Sequence, residues 1–269
     1  MRNIETLRPV PHSAFRKLAI GSWSNPTDPK VYTKLKCEVS TVLNYLDSNS
    51  KYRSVTLTHF FTKLMAELLK RFPEINSVLI RNKLYYRKSI NAFIHTHIST
   101  HEGYDLRGIC IEDVDTLSVN DISKITVDES RKLRQNQHDN FRKSSRILSF
   151  VPLFLIKLFV KVLDFLFYTC NLKLPGLPRD LYGSFAVTTV GALGFEEAYV
   201  PLFPFSRLGL VLSVGKVYEE YVYDGKEHQK CKFVNLCFTM DHRYFDGAHF
   251  AKPLRLLKKI LKNPSLIKF

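Results

Sequence analysis

Apolar residues recur at helical spacing between Thr56 and Phe72, "TLTHFFTKLMAELLKRF", behind a threonine suited to cap a helix and ahead of a stop at Pro73. That spacing predicts one buried helix. The next stretches, "INSVLI", "KLYYRKSINAFIHTHIST" and "RGICIEDVD", are short runs of β-branched and aromatic residues with polar breaks, and they predict strands. Residues Ile122 to Arg146 read as a solvated helix. From Gly183 onward "GSFAVTTVG", "RLGLVLSVGKVYEEYVYDG" and "CKFVNLCFTMD" restore the strand pattern, with "YDGK" as a turn. "FTMDHRYFDGAHFAKPLRLLKKILKNPS" then passes from strand through a charged cluster into a helix, in which Pro253 predicts a late start or a kink. No period repeats and no Gly/Ser-rich linker divides the chain, so residues 1–269 read as one α+β domain.

The most apolar stretch is "ILSFVPLFLIKLFVKVLDFLFYTC", Ile147 to Cys170. It has the length to span a bilayer, about 20 residues. Lys157, Lys161 and Asp164 interrupt it, and each costs roughly 2.5–3.5 kcal/mol at a bilayer centre. Their spacing puts all three on one stripe of a helix with a wide apolar face. A spanning helix is therefore not expected. The basic flank Arg142, Lys143 and Arg146 suits anionic headgroups, which favours an interfacial helix or one closing over a long acyl chain; packing on its own domain or at a subunit contact is the alternative.

Composition narrows the class. The 45% hydrophobic and 24% charged content is that of a globular protein. Five scattered cysteines, Cys37, Cys110, Cys170, Cys231 and Cys237, form no C-x-x-C pair and read as reduced and mostly buried. The polar N-terminus lacks the apolar run of a secretion signal, and with the cysteines it points to the cytoplasm, peripheral to a membrane if the apolar stretch binds one. A formal charge of +15 favours an anionic partner: lipid, an acidic carrier protein or the phosphates of coenzyme A. Nucleic acid is disfavoured because no repeated basic-aromatic pattern or reading motif occurs.

His242 is the candidate for chemistry. It lies between Asp241, Arg243 and Asp246, and a histidine held by a short loop can serve as general base, although a surface histidine among acidic neighbours fits the same spacing. His95, His97 and His101 offer a strand-borne trio, but no carboxylate or cysteine completes a metal set, and no metal site is expected.

"DHRYFDGA" resembles the H-x-x-x-D-G signature of the chloramphenicol acetyltransferase superfamily, and its D-H-R opening resembles the catalytic domains of 2-oxo acid dehydrogenase dihydrolipoyl acyltransferases. "FRKLA" at Phe15, "RFPEIN" at Arg71, "GSFAVTTVGALG" at Gly183 and "LGLVLSVGKV" are similar to further segments of that family, in the same order, leaving roughly residues 142–178 as a hydrophobic helical insertion. The resemblance implies a two-layer α/β sandwich with a mixed central sheet. It implies a general base at His242, a structural Asp246 paired with Arg16, a tight turn at Gly247, and an oxyanion hydroxyl at Thr188, where the family has serine. Thr189 stands where the family has asparagine, and since strand neighbours point to opposite faces only one threonine can face the channel. It also implies a homotrimer with its channel between subunits, no covalently bound cofactor, and a coenzyme A thioester or acyl carrier arm as co-substrate, with the coenzyme-binding residues unassigned. Because the resemblance starts almost at Met1, a stand-alone acyltransferase without a lipoyl domain is expected. An antibiotic O-acetyltransferase and a catalytically silent membrane-associated scaffold are the alternatives.

Overall fold

In the computed structural model, residues 5–10, 29–100, 103–135, 152, 155–173, 180–203, 206–223 and 225–269 are described. The strands are β1 (Thr6–Pro9), β2 (Lys30–Glu38), β3 (Ser77–Ile80), β4 (Lys83–Arg87), β5 (Ala92–Thr100), β6 (Gly103–Ile111), β7 (Phe185–Thr189), β8 (Leu210–Val214), β9 (Tyr218–Tyr223) and β10 (His228–Asp241). The helices are α1 (Ser40–Asp47), α2 (Leu57–Arg71), α3 (Val119–Arg134), α4 (Ile156–Asp164) and α5 (Gly247–Lys262).

A seven-stranded sheet runs β2-β10-β8-β7-β5-β6, with β9 also on β10, and a separate three-stranded sheet runs β1-β4-β3. The large sheet is mixed: β5–β7 and β7–β8 are parallel, whereas β10 is antiparallel to β2, β8 and β9, and β5 to β6. This is the α+β architecture the resemblance implies. Period-2 alternation separates the two faces. Phe185 and Val187 of β7, Leu210, Leu212 and Val214 of β8, and Leu236 and Phe238 of β10 enter the main core with α2 residues Phe60, Phe61, Leu64 and Leu68. Phe93, Ala186 and Val211 face the other way, under Leu202 and Leu208.

The α2 helix has the bounds its apolar period predicts. Thr56 caps it, and His59 Nδ1 accepts the Thr56 N–H at 3.1 Å to close a capping box. Three expectations are corrected. The helix read as solvated over Ile122 to Arg146 begins at Val119 and buries Val119, Ile122, Ser123 and Leu133; beyond residue 135 it lies outside the described residues. Helix α5 neither starts late nor breaks at Pro253, but runs from Gly247 to Lys262 with Pro253 buried. The cysteines are all free, with Cys37 and Cys237 buried and the other three only partly so.

Within the insertion, α4 is followed by a single π-helical turn, Phe165–Thr169, which turns Phe167 and Tyr168 onto Val78 and Ile80 of the small sheet. Among the described residues no helix is long and apolar enough to cross a membrane. A buried ion pair, Arg87 with Asp180, ties the small sheet to the loop before β7.

Candidate active site

Strand β10 delivers the chain to the site. It ends at Asp241, whose carboxylate is buried and takes Arg243 in a closed clasp: it accepts the Arg243 backbone N–H at 2.9 Å, Nε at 3.1 and 3.2 Å, and Nη2 at 2.7 Å. Burial works against the Arg243 cation, and the hydrogen bonds and charge of Asp241 outweigh it, so the guanidinium pKa is raised. The clasp straddles His242. Its backbone N–H donates to the Pro29 carbonyl at 2.8 Å, and its ring Nδ1 is withdrawn from solvent.

Beyond His242 the loop is pinned from below. Tyr244 and Phe245 are buried; the Tyr244 hydroxyl donates to the Arg207 carbonyl at 3.0 Å and Phe245 packs on Phe250 with ring centroids 5.1 Å apart. Burial pushes the Tyr244 phenol up, which keeps it neutral. Gly209 is required beneath them, because a Cβ there would lie 2.9 Å from the Tyr244 ring.

Asp246 ends the loop as the N-cap of α5. Its Oδ1 accepts the Ala248 N–H at 3.0 Å and the His249 Nδ1–H at 2.7 Å. Burial opposes the carboxylate, but the His249 and Ala248 contacts prevail and its pKa is lowered. His249 in this role is not readable from the family signature. Gly247 is corrected: its φ is not in the left-handed region and a Cβ would meet nothing within 4 Å, so the extended Asp246 makes the turn. Arg16, the expected partner of Asp246, lies outside the described residues, as does "FRKLA".

Thr188 is buried on β7, on the face away from the helices, whereas alternation puts Thr189 on the helix-covered face. The register lines up Thr188 with Ser213 of β8, and Ser213 with Cys237 of β10. Ser213 was not singled out by the sequence; its buried Oγ has no partner among the described residues. A polar residue at an inward position of "LVLSV" is the signal that marks it. On β5, His95 is next in register beyond the Ile94–Val187 pair, which brings it alongside Thr188. The side chain of His97 and all of His101 lie outside the description.

One chain does not bring His242 and Thr188 together. Along β10, Asp241 is four residues beyond the Cys237 row, and two strand spacings separate β10 from β7. At about 3.3 Å per residue and about 4.8 Å per strand the backbones of Asp241 and Thr188 lie roughly 16 Å apart.

A further link joins the site to the insertion. Arg207, which holds Tyr244 through its carbonyl, donates from Nε to Asp164 Oδ1 at 3.1 Å and lays its guanidinium over the Tyr168 ring at 5.4 Å.

Comparison with known proteins identifies the family and the fold. Residues 7–147 and 178–268 match the family model for the 2-oxoacid dehydrogenases acyltransferase (catalytic domain). The lipoamide acyltransferase component of the branched-chain alpha-keto acid dehydrogenase complex of Bacillus subtilis is 24% identical over 243 residues, 87% of this chain and 47% of that protein. The dihydrolipoyllysine-residue acetyltransferase component of the acetoin cleaving system of the same organism is 34% identical over 90 residues, 33% of this chain and 22% of that protein. The chain thus spans about half the length, or less, of these curated relatives. Among solved structures, the cubic core of the pyruvate dehydrogenase multienzyme complex superposes with a TM-score of 0.65 at 18% identity, covering 97% of this chain and 99% of that one. The same figures hold for an Azotobacter vinelandii dihydrolipoamide acetyltransferase, studied for the catalytic role of a serine, a histidine and an asparagine four residues after the histidine. Chloramphenicol acetyltransferase superposes with a TM-score of 0.50 at 12% identity, covering 93% of this chain and 96% of that one. With the family model matched on both sides of the insertion, the chain belongs to the 2-oxoacid dehydrogenase acyltransferase catalytic-domain family.

Proposed function

We propose that this chain moves an acyl group from a thioester donor, coenzyme A or a carrier-borne thiol, to a thiol, hydroxyl or amine acceptor. The observation that carries the reading is the pinned H-x-x-x-D-G loop of a chain in an acyltransferase family, with Asp241–Arg243 clasping one side of His242 and Asp246 capping α5 on the other. The His242 imidazole takes the acceptor's proton as the acceptor attacks the thioester carbonyl. The Thr188 hydroxyl donates a hydrogen bond to the oxyanion, a role worth about 10²–10³ in rate. Collapse breaks the donor's C–S bond, and the departing thiolate takes the proton back from the imidazolium. Asp246 fixes the loop and is not itself a proton carrier. In the Azotobacter enzyme the asparagine under study falls at the same spacing from the histidine as Asp246 from His242.

The site forms between copies of the chain. The roughly 16 Å between Thr188 and the end of β10 is too long for both to touch one carbonyl, and Leu193, Phe195, Tyr199 and Phe203, in the segment after β7, are exposed in the single chain. A homotrimer, with His242 of one subunit facing β7 of the next, accounts for both. Stand-alone action needs no further domain on the same chain, provided the acyl arm is free or carried by another protein. The anionic membrane surface expected for residues 147–170 is a separate question from the transfer chemistry, although Arg207 links that segment to the His242 loop.

The test is incubation with a panel of acyl-CoAs and free dihydrolipoamide, with transfer and hydrolysis scored by mass, beside sedimentation at the assay concentration. Acyl-dihydrolipoamide formed by a trimer supports the reading. An active monomer overturns the shared site, and no transfer or hydrolysis with any donor overturns the activity.

A further inference from the structure

Helix α4 and the π-helical turn after it carry an apolar row that nothing among the described residues covers. Leu155, Leu158, Val162 and Phe165 follow one another at intervals of three, four and three residues, and are 40%, 60%, 47% and 55% exposed. This is not a loosely placed helix. Leu163, Phe167 and Tyr168 pack its other side on Val78, Ile80 and Tyr85, Arg207 grips Asp164, and Arg81 Nε donates to the Thr169 carbonyl. The row is therefore held outward by contacts on the opposite side.

The exposed charges described on this segment and on the hairpin it touches are basic. Lys161 on α4 and Lys173 just after the π-helical turn are exposed, and Arg81 and Lys83 are exposed on the hairpin that touches the C-terminal end of the turn. Asp164 is the acid of this segment, and its charge is engaged by Arg207. We infer that this face docks on an anionic phospholipid bilayer, with the apolar row at the boundary of headgroups and acyl chains and the cations against the phosphates. A twofold contact of this face with a second copy is the poorer occupant, since it would set these cations against one another on a chain of formal charge +15. Through Arg207 the docked helix would share a residue with the loop that carries His242.

The experiment is flotation of the full chain with vesicles of phosphatidylcholine, alone or mixed with phosphatidylserine, at low and high salt. Binding to the anionic vesicles, about tenfold or more above the neutral ones and weakened by salt, is the expected result. Leu158→Ser with Phe165→Ser should lower it by about a hundredfold, because burying each large side chain is worth about tenfold. Lys161→Glu with Lys173→Glu tests the charged part separately, and the expected loss is also about tenfold. Both pairs replace exposed side chains, so the urea midpoint should not move. No binding by the unaltered chain, or equal binding by the serine variant, overturns the inference. So does a serine variant of changed sedimentation mass, which would make this face a contact between copies. No acyl substrate enters the measurement, so its outcome is independent of the transfer reading.

Discussion

Replacing Asp241 with asparagine removes the charge that clasps Arg243 and keeps the shape. The carboxylate is 4% exposed and accepts one backbone and three guanidinium contacts between 2.7 and 3.2 Å. An asparagine keeps one acceptor oxygen, enough for the Arg243 N–H, and turns an amide NH2 toward a guanidinium that can only donate. Charge-assisted hydrogen bonds contribute about 1.5–3 kcal/mol each, and breaking a fully buried pair costs about 3–5 kcal/mol. The Arg243 side chain is 20% exposed, so water recovers part of that cost. A net loss of about 2–3 kcal/mol follows. Urea unfolding of the unaltered chain, Asp241→Asn, Arg243→Gln and the double variant gives the coupling directly, and about 2 kcal/mol is expected. A coupling below about 0.5 kcal/mol would show that the clasp does not hold the loop. Turnover should fall in Asp241→Asn even where the protein stays folded, because His242 lies between the two clasped residues.

His59 makes the fold acid-sensitive. Burial pushes its pKa down to about 4, against about 6.5 when unfolded, so the unfolded chain binds the proton first. Stability from this group is complete above about pH 6.5 and is lost as pH falls toward 4, by roughly 3 kcal/mol in all. His59→Gln, which keeps an acceptor for the Thr56 N–H, should flatten that slope in urea unfolding across the range; an unchanged slope refutes the assignment. At Thr188, Thr188→Val should lower turnover by about 10²–10³, while Thr188→Ser should stay within about threefold, measured at saturating donor; equal rates in both would remove the hydroxyl from the mechanism.

What the sequence discloses is local. The α2 period, its Thr56 cap and the alternation of β7, β8 and β10 appear in the fold with little change because each is decided by neighbours within a turn or a strand. The inward face of α3 is hard to see in the sequence because Asn120, Ser123 and Thr126 are polar yet buried, so that face does not look apolar. Pro253 deletes one donor, a cost that burial of Phe250, Leu257 and Ile260 offsets within a continuous helix. The signature places His242 and Asp246, but not the partners that fix them. Arg207 on Tyr244, Asp164 on Arg207, and Ser213 beside Thr188 join residues far apart in the chain, and no spacing rule reports such contacts.

We propose His242 as the base of an acyl transfer. The most direct test is transfer of acetyl from acetyl-CoA to dihydrolipoamide at saturating donor, by the unaltered chain and by His242→Ala. Removal of a general base should lower the rate by about 10²–10⁴, with sedimentation mass and urea midpoint unchanged. Transfer by His242→Ala at the unaltered rate would contradict the account.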